Sequence, residues 1–197
     1  GYTNSTGTQV TYVGYLSGQY ATGGYNTGVG YNAAKGTSGS ATAEYNTAVG
    51  GGALASFTSG GRNAAVGISA LANNTTGERN AALGMYALLS NTSGIYNTAM
   101  GYEALGANTT ASYNTAVGYD ALTSNTTGYQ HTAIGYNALS SMDTGVNGTA
   151  VGYEALEANT ADNNTAVGSV AGYSNTTGAD NTFLGQAAGY YNTTGSY

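Results

Sequence analysis

The chain has 197 residues, of which 6% are charged, and its formal net charge at pH 7 is −6. Because it has only three lysines and arginines together, it lacks the basic surface typical of nucleic-acid-binding proteins. It has no cysteine, which excludes disulfides and thiolate metal sites. Ordinary globular proteins carry about 25% charged residues. The surface must therefore be wetted by Asn, Thr, Ser and Tyr, or be covered by partner chains or sugar.

One sequence motif repeats along the whole chain, and its clearest copy is NTAVGYDALTSNTTG at 114–128. Its central glycine, here called the marker glycine, recurs eleven times, mostly 17 residues apart. The markers are Gly14, Gly30, Gly50, Gly67, Gly84, Gly101, Gly118, Gly135, Gly152, Gly168 and Gly185. A 17-residue unit is shorter than helical repeats or propeller blades. The frequent Gly, Asn and Thr also disfavour helix.

The period predicts an all-β fold, a parallel β-solenoid of about eleven coils, each with two short strands and two turns. Strands about 4.8 Å apart would make a rod roughly 50 Å long. We expect one domain over 1–197, with an irregular end at 1–45, regular coils at 46–160 and variant coils at 161–197. The irregular end contains KGTSGSATAE, which predicts a surface loop. The chain begins and ends at nearly the same position within the repeat. We therefore expect it to be a segment of a longer array or a subunit that stacks end to end.

Two apolar columns are adjacent in the repeat, an alanine column and an aliphatic column directly before the marker glycine. Successive strand side chains point to opposite faces, so either a neighbouring chain covers the second column or the strand bends and turns both inward. We assign the aliphatic column to self-association or to the core; its members are Val49, Val66, Leu83, Met100, Val117, Ile134, Val151, Val167 and Leu184.

Tyrosine follows the marker in four consecutive coils, at Tyr102, Tyr119, Tyr136 and Tyr153. We predict a stacked packing column, which would bind sugar rings if it faces water. The next column contains Glu103, Asp120, Asn137 and Glu154 and is expected to be exposed. His131 stands where other coils have Asn. No catalytic set, cofactor site or metal site is indicated, so we predict that the protein is not an enzyme.

Asn-x-Ser/Thr sequons recur along the chain and have two interpretations. They are N-glycosylation candidates, or they are turn residues whose side chains stack from coil to coil. The sequon asparagines are Asn4, Asn73, Asn74, Asn91, Asn108, Asn125, Asn147, Asn163, Asn175 and Asn192. Four of them, from Asn74 to Asn125, are 17 apart and predict one row along the rod.

The repeated segments NTAVGYDAL at 114–122 and NTAMGYEAL at 97–105 resemble the head repeats of trimeric autotransporter adhesins. They are also similar to repeat arrays of phage tail fibres and bacterial surface proteins. The resemblance implies a left-handed parallel β-roll, three chains around one axis, and a role in adhesion or spacing at a cell or virion surface.

These observations lead to three functional hypotheses. The first is a structural or adhesive extracellular fibre segment that acts by self-association, with glycans or a surface receptor as further partners. The second is a filament subunit, glycosylated or not, that polymerises end to end. The third is a solenoid that binds ice or carbohydrate. No apolar run is long enough to predict membrane insertion.

Overall fold

The computed structural model describes residues 7–196 and confirms the predicted parallel β-solenoid. Eleven strands form one sheet in chain order, each pairing in parallel with the next, and the described residues contain no helix. The strands are β1 (Thr11–Val13), β2 (Thr27–Val29), β3 (Thr47–Val49), β4 (Ala64–Val66), β5 (Ala81–Leu83), β6 (Thr98–Met100), β7 (Thr115–Val117), β8 (Thr132–Ile134), β9 (Thr149–Val151), β10 (Thr165–Val167) and β11 (Thr182–Leu184). Identical positions pair, as Ala99 with Ala116, so each sequence column is a column in space.

The prediction of two strands per coil is wrong, because each coil has one strand and the rest is turn. Residues two and four after each marker, and five before the next one, adopt positive φ, for example Asp120 at 52°, Leu122 at 53° and Gln130 at 61°. Such left-handed residues cannot continue an extended strand. The turns nevertheless bond from coil to coil, since the Leu122 amide donates to the Ala138 carbonyl at 3.1 Å.

The marker glycines end the strands at points where no side chain fits. Their φ values lie between 114° and 146°, a region open to glycine and strained for other residues. A Cβ on Gly50 would lie 2.5 Å from the carbonyl oxygen of Gly67 in the next coil. The spacing of the coils therefore requires glycine at this column.

The core is a narrow stack of alanine and leucine. The middle residue of the strand points inward, and the third and fourth residues after the marker meet it from the opposite wall. In the seventh coil these are Ala116, Ala121 and Leu122, all fully buried. In the regular coils the small alanine leaves room for the leucine on the opposite wall.

The variant coils keep this core filled by a paired exchange. Phe183 replaces the strand alanine of β11, and a Cβ on Gly189, which stands where regular coils have Leu, would overlap the Phe183 ring. The first described coil shows the same exchange, with Tyr12 in the strand and Gly18 at the leucine position. The Phe183 ring also lies against Gly172 of the preceding coil, where a Cβ would be 2.6 Å from it, so one large side chain compensates for two glycines.

The insertion between Gly30 and Gly50 leaves the wall of the solenoid and returns to it. Residues 37–40 are exposed, which agrees with the predicted surface loop. Ala41 and Ala43 are buried again, and Ala41 lies beside Gly36.

The adjacent glycines Gly50 and Gly51 provide a matched test of the coil contact. We expect Gly50→Ala to lower the free energy of unfolding by at least about 3 kcal/mol, because it combines backbone strain with a clash against Gly67. Gly51→Ala should change it by less than about 0.5 kcal/mol, because no atom lies within 4 Å of the added Cβ. Urea unfolding of both variants makes the comparison, and equal losses would contradict this account.

Candidate interaction surface

The outward side chains of β1–β11, the first and last residue of each strand, form a surface that we call the outer face. Ala116 in the middle of β7 is fully buried, whereas Thr115 and Val117 on either side of it are partly exposed. Typical last residues such as Val66 and Ile134 are 36% and 41% exposed. The outer face is therefore a long, accessible sheet surface.

The aliphatic column lies on the outer face and not in the core. The alternative in which the strand bends at the glycine and turns both apolar columns inward is wrong, since the strands keep ordinary alternation. The residues that lie on the outer face, and so have no core role, are Val49, Val66, Leu83, Met100, Val117, Ile134, Val151, Val167 and Leu184. Their role in self-association stays a prediction.

The outer face carries no charged residue. Its first column is threonine in nine of the eleven strands, with Ala64 and Ala81 as the exceptions. These threonine hydroxyls, such as those of Thr115 and Thr132, make no hydrogen bond to another group in residues 7–196. By contrast, turn threonines bond between coils, as Thr109 Oγ1 does to the Thr126 carbonyl at 3.2 Å. The face thus offers free hydroxyls beside exposed methyl groups.

Tyr102, Tyr119, Tyr136 and Tyr153, together called the tyrosine ladder, stack beyond the glycines that end their strands. Successive ring centroids are 5.0, 5.4 and 5.2 Å apart, and the planes are inclined by 9° to 13°. Tyr119, Tyr136 and Tyr153 are exposed. Since each inner ring faces its neighbours, the ladder presents edges and hydroxyls, and not open ring faces, to solvent.

A second stack, not foreseen from the sequence, runs along the column two residues before each strand. Tyr25 and Tyr45 stack at 4.8 Å, and Tyr96 and Tyr113 at 5.3 Å. Two arginines lie between these pairs: Arg62 is 5.7 Å from the Tyr45 ring, and Arg79 is 5.1 Å from the Tyr96 ring. The Glu78 carboxylate lies 3.4 Å from Arg79 and 4.0 Å from Arg62. The signal was the 17-residue spacing of the aromatic and cationic residues from Tyr45 to Tyr113.

The acidic column is less exposed than predicted. Glu103, Asp120, Asn137 and Glu154 are only partly exposed, and Asp120 Oδ1 is buried without a partner. Burial, with the charge of Glu103, raises the pKa of Asp120. Within residues 7–196 no group of three or more His, Cys, Asp or Glu side chains could hold a metal ion.

Two buried asparagine columns connect the coils. In the first column, which precedes each strand, the Asn114 amide donates to Asn97 Oδ1 at 3.0 Å, and Asn114 Nδ2 donates to the Gly128 carbonyl at 2.9 Å. In the second column, seven residues after the marker, Asn91 Nδ2 donates to Asn74 Oδ1 at 2.8 Å. Buried polar groups are stable only when they are bonded in this way.

The predicted glycan row coincides with the second asparagine column and is incompatible with this fold. Asn74, Asn91, Asn108, Asn125 and Asn175 are fully buried, and their Nδ2 atoms donate to protein oxygens. These asparagines instead fit the other interpretation of the sequons, in which they are turn residues whose side chains stack from coil to coil. Among the other sequons, Asn73, Asn147 and Asn163 are exposed and remain glycosylation candidates. Asn192 is partly exposed, but it continues the second asparagine column, and its Nδ2 donates to Asn175 Oδ1 at 3.0 Å. Asn4 lies outside the described residues.

His131 replaces asparagine in the first column, as the sequence indicated. The Gly148 amide donates to Nδ1 at 3.0 Å, and Nε2 lies 2.7 Å from the Gly145 carbonyl, which makes Nε2 the protonated nitrogen. A Cβ on Gly148 would lie 2.9 Å from Nδ1, so the glycine makes room for the larger ring. Burial lowers the pKa of His131, and the charge of Asp162 only partly opposes this.

We expect His131 to make stability depend on pH. Its pKa is lowered in the folded chain, so the unfolded chain binds the proton more tightly and folding stability decreases as pH falls below the ordinary imidazole value. His131→Asn restores the common residue and removes this titration. Urea unfolding of both proteins between about pH 7.5 and pH 5 should show the steeper decline in the wild type. Parallel pH profiles would contradict the prediction.

Comparison of the chain with protein-family models, with curated proteins and with solved structures found no match. In the part of the chain that the structure describes, no helix is long and apolar enough to span a membrane.

Proposed function

We propose that this chain is a structural segment of an extracellular fibre, on a cell surface or a virion, that acts by self-association and by repeated surface display. The observation that carries the proposal is the outer face, in which a column of exposed or partly exposed apolar side chains runs through all eleven strands without a charge. Large contiguous apolar patches on soluble proteins commonly mark interaction sites.

A second copy of the chain is the partner that suits this face best. The face repeats a threonine and aliphatic pair in nine of the eleven coils, with alanine in place of threonine in the other two, so the columns of one copy match the spacing of another along their length. Contacts between identical chains form closed rings when the rotation from one copy to the next closes. The resemblance to adhesin head repeats predicts three copies around one axis. The tyrosine stacks and exposed turns would then remain on the outside for a receptor or glycan.

A lysine in the middle of the outer face tests this assembly. We expect light scattering of the wild type to give a protein mass near three times 19.6 kDa. Ile134→Lys should reduce it to one chain, because a charge in an apolar contact has no partner. Thr127→Lys, in an exposed turn, is the matched control and should leave the mass unchanged.

Other outcomes separate the alternatives. A very large, dispersed mass that Ile134→Lys does not alter would favour the filament joined end to end. A monomeric wild type at high concentration would contradict self-association through the outer face.

A second candidate function is the binding of ice, and the free threonine hydroxyls of the outer face favour it. Nine strands present a hydroxyl beside methyl groups at regular intervals on a rigid sheet, which is an arrangement able to order water. The face repeats Thr-x-aliphatic, not Thr-x-Thr. Measurement of thermal hysteresis and ice recrystallisation decides this candidate, and the absence of both activities would remove it.

A further inference from the structure

The tyrosine ladder combines regular ring stacking with exposure to solvent, which packing alone does not require. Its four rings lie in consecutive coils, nearly parallel, with centroids 5.0 to 5.4 Å apart. Tyr119, Tyr136 and Tyr153 are 47%, 42% and 51% exposed, so a reagent in solution reaches the ring edges. The coils therefore hold each phenol ring next to the ring of the adjacent coil.

We propose that the tyrosine ladder is a site of oxidative cross-linking, where a haem peroxidase with hydrogen peroxide joins tyrosines of adjacent coils as dityrosine. Each phenol gives up one electron and one proton, and the peroxide is reduced to two waters. The two phenoxyl radicals couple through a new carbon–carbon bond between ring positions adjacent to the hydroxyls. The hydrogens on those carbons then move to the oxygens, so each cross-link consumes two tyrosines and one peroxide.

Carboxylates beside the ladder provide acceptors for the phenolic protons. Hydrogen bonding to Glu103 raises the pKa of Tyr102, and Glu154 has the same effect on Tyr153. The charge of Asp120 raises the pKa of Tyr119. These carboxylates are the groups that would take up the proton when Tyr102, Tyr119 or Tyr153 loses an electron.

Cross-links of this kind would strengthen a chain that has no cysteine. Each bond would tie residues 17 positions apart and prevent neighbouring coils from separating. The inference is independent of the outer face, because it concerns bonds within one chain and does not depend on the number of chains in the assembly.

Peptide mapping after peroxidase treatment tests the proposal. Cleavage after Asp and Glu places the four ladder tyrosines on separate peptides, 79–103, 104–120, 121–143 and 144–154. We expect cross-linked pairs of sequence-adjacent peptides, each lighter by two hydrogens than the sum of its parts, with fragment ions that place the bond at ladder tyrosines. Mixing isotopically labelled and unlabelled chains before oxidation distinguishes bonds within a chain from bonds between chains.

Two variants provide the matched comparison. Tyr136→Phe keeps an aromatic ring in the stack but has no phenol, so the links from 121–143 to 104–120 and to 144–154 should both be lost. Tyr129→Phe removes an exposed tyrosine on the same peptide that stacks with no other ring among residues 7–196, and both links should persist. Equal loss in the two variants, bonds only between chains, or no coupling under conditions that couple N-acetyltyrosine amide would overturn the proposal.

Discussion

The close approach of successive coils at the marker glycines is the constraint on which the structure depends. At this column the carbonyl of one coil occupies the space that a side chain of the previous coil would need. The contact brings identical positions into register, so backbone amides and carbonyls bond along the whole rod. Stacking of equivalent groups in this way makes a repeat array stable through nearest-neighbour interactions. A glycine with positive φ is the local requirement for that arrangement.

Because the coils are in register, a larger residue at one position fits only if a neighbouring position provides the space for it. His131 fits the asparagine column because Gly148 leaves space for its ring, and Phe183 fits the alanine column because Gly189 has no side chain. Met142 shows an exchange without compensation. It stands in the second asparagine column, so Asn125 Oδ1 is buried with no donor. An unsatisfied acceptor of this kind costs about 1–3 kcal/mol, which the neighbouring hydrogen bonds and the burial of Met142 must offset.

The same register arranges the surface residues in columns of similar groups. Each strand points one residue inward, which is alanine in the regular coils, so the residues on either side of it form the outer face. Tyrosines that follow the strands are held at stacking distance, and the coil spacing sets that distance. The proposed self-association and the proposed cross-linking both follow from this periodicity. Neither depends on a pocket or on a single reactive residue.

The sequence alone determined the class of fold, because a 17-residue period with an obligatory glycine admits few architectures. It also identified the alanine, aliphatic and tyrosine columns. Only the tertiary structure decided where each column points. The number of strands per coil depended on left-handed residues such as Leu122, a residue type for which positive φ is unusual. Asn108 lies in a sequon, and its burial depended on the hydrogen bonds that its Nδ2 donates to Asn91 Oδ1 and to the Ala111 carbonyl. Composition records which groups are polar, whereas the stacking of coils decides which of them face water and which bond to each other.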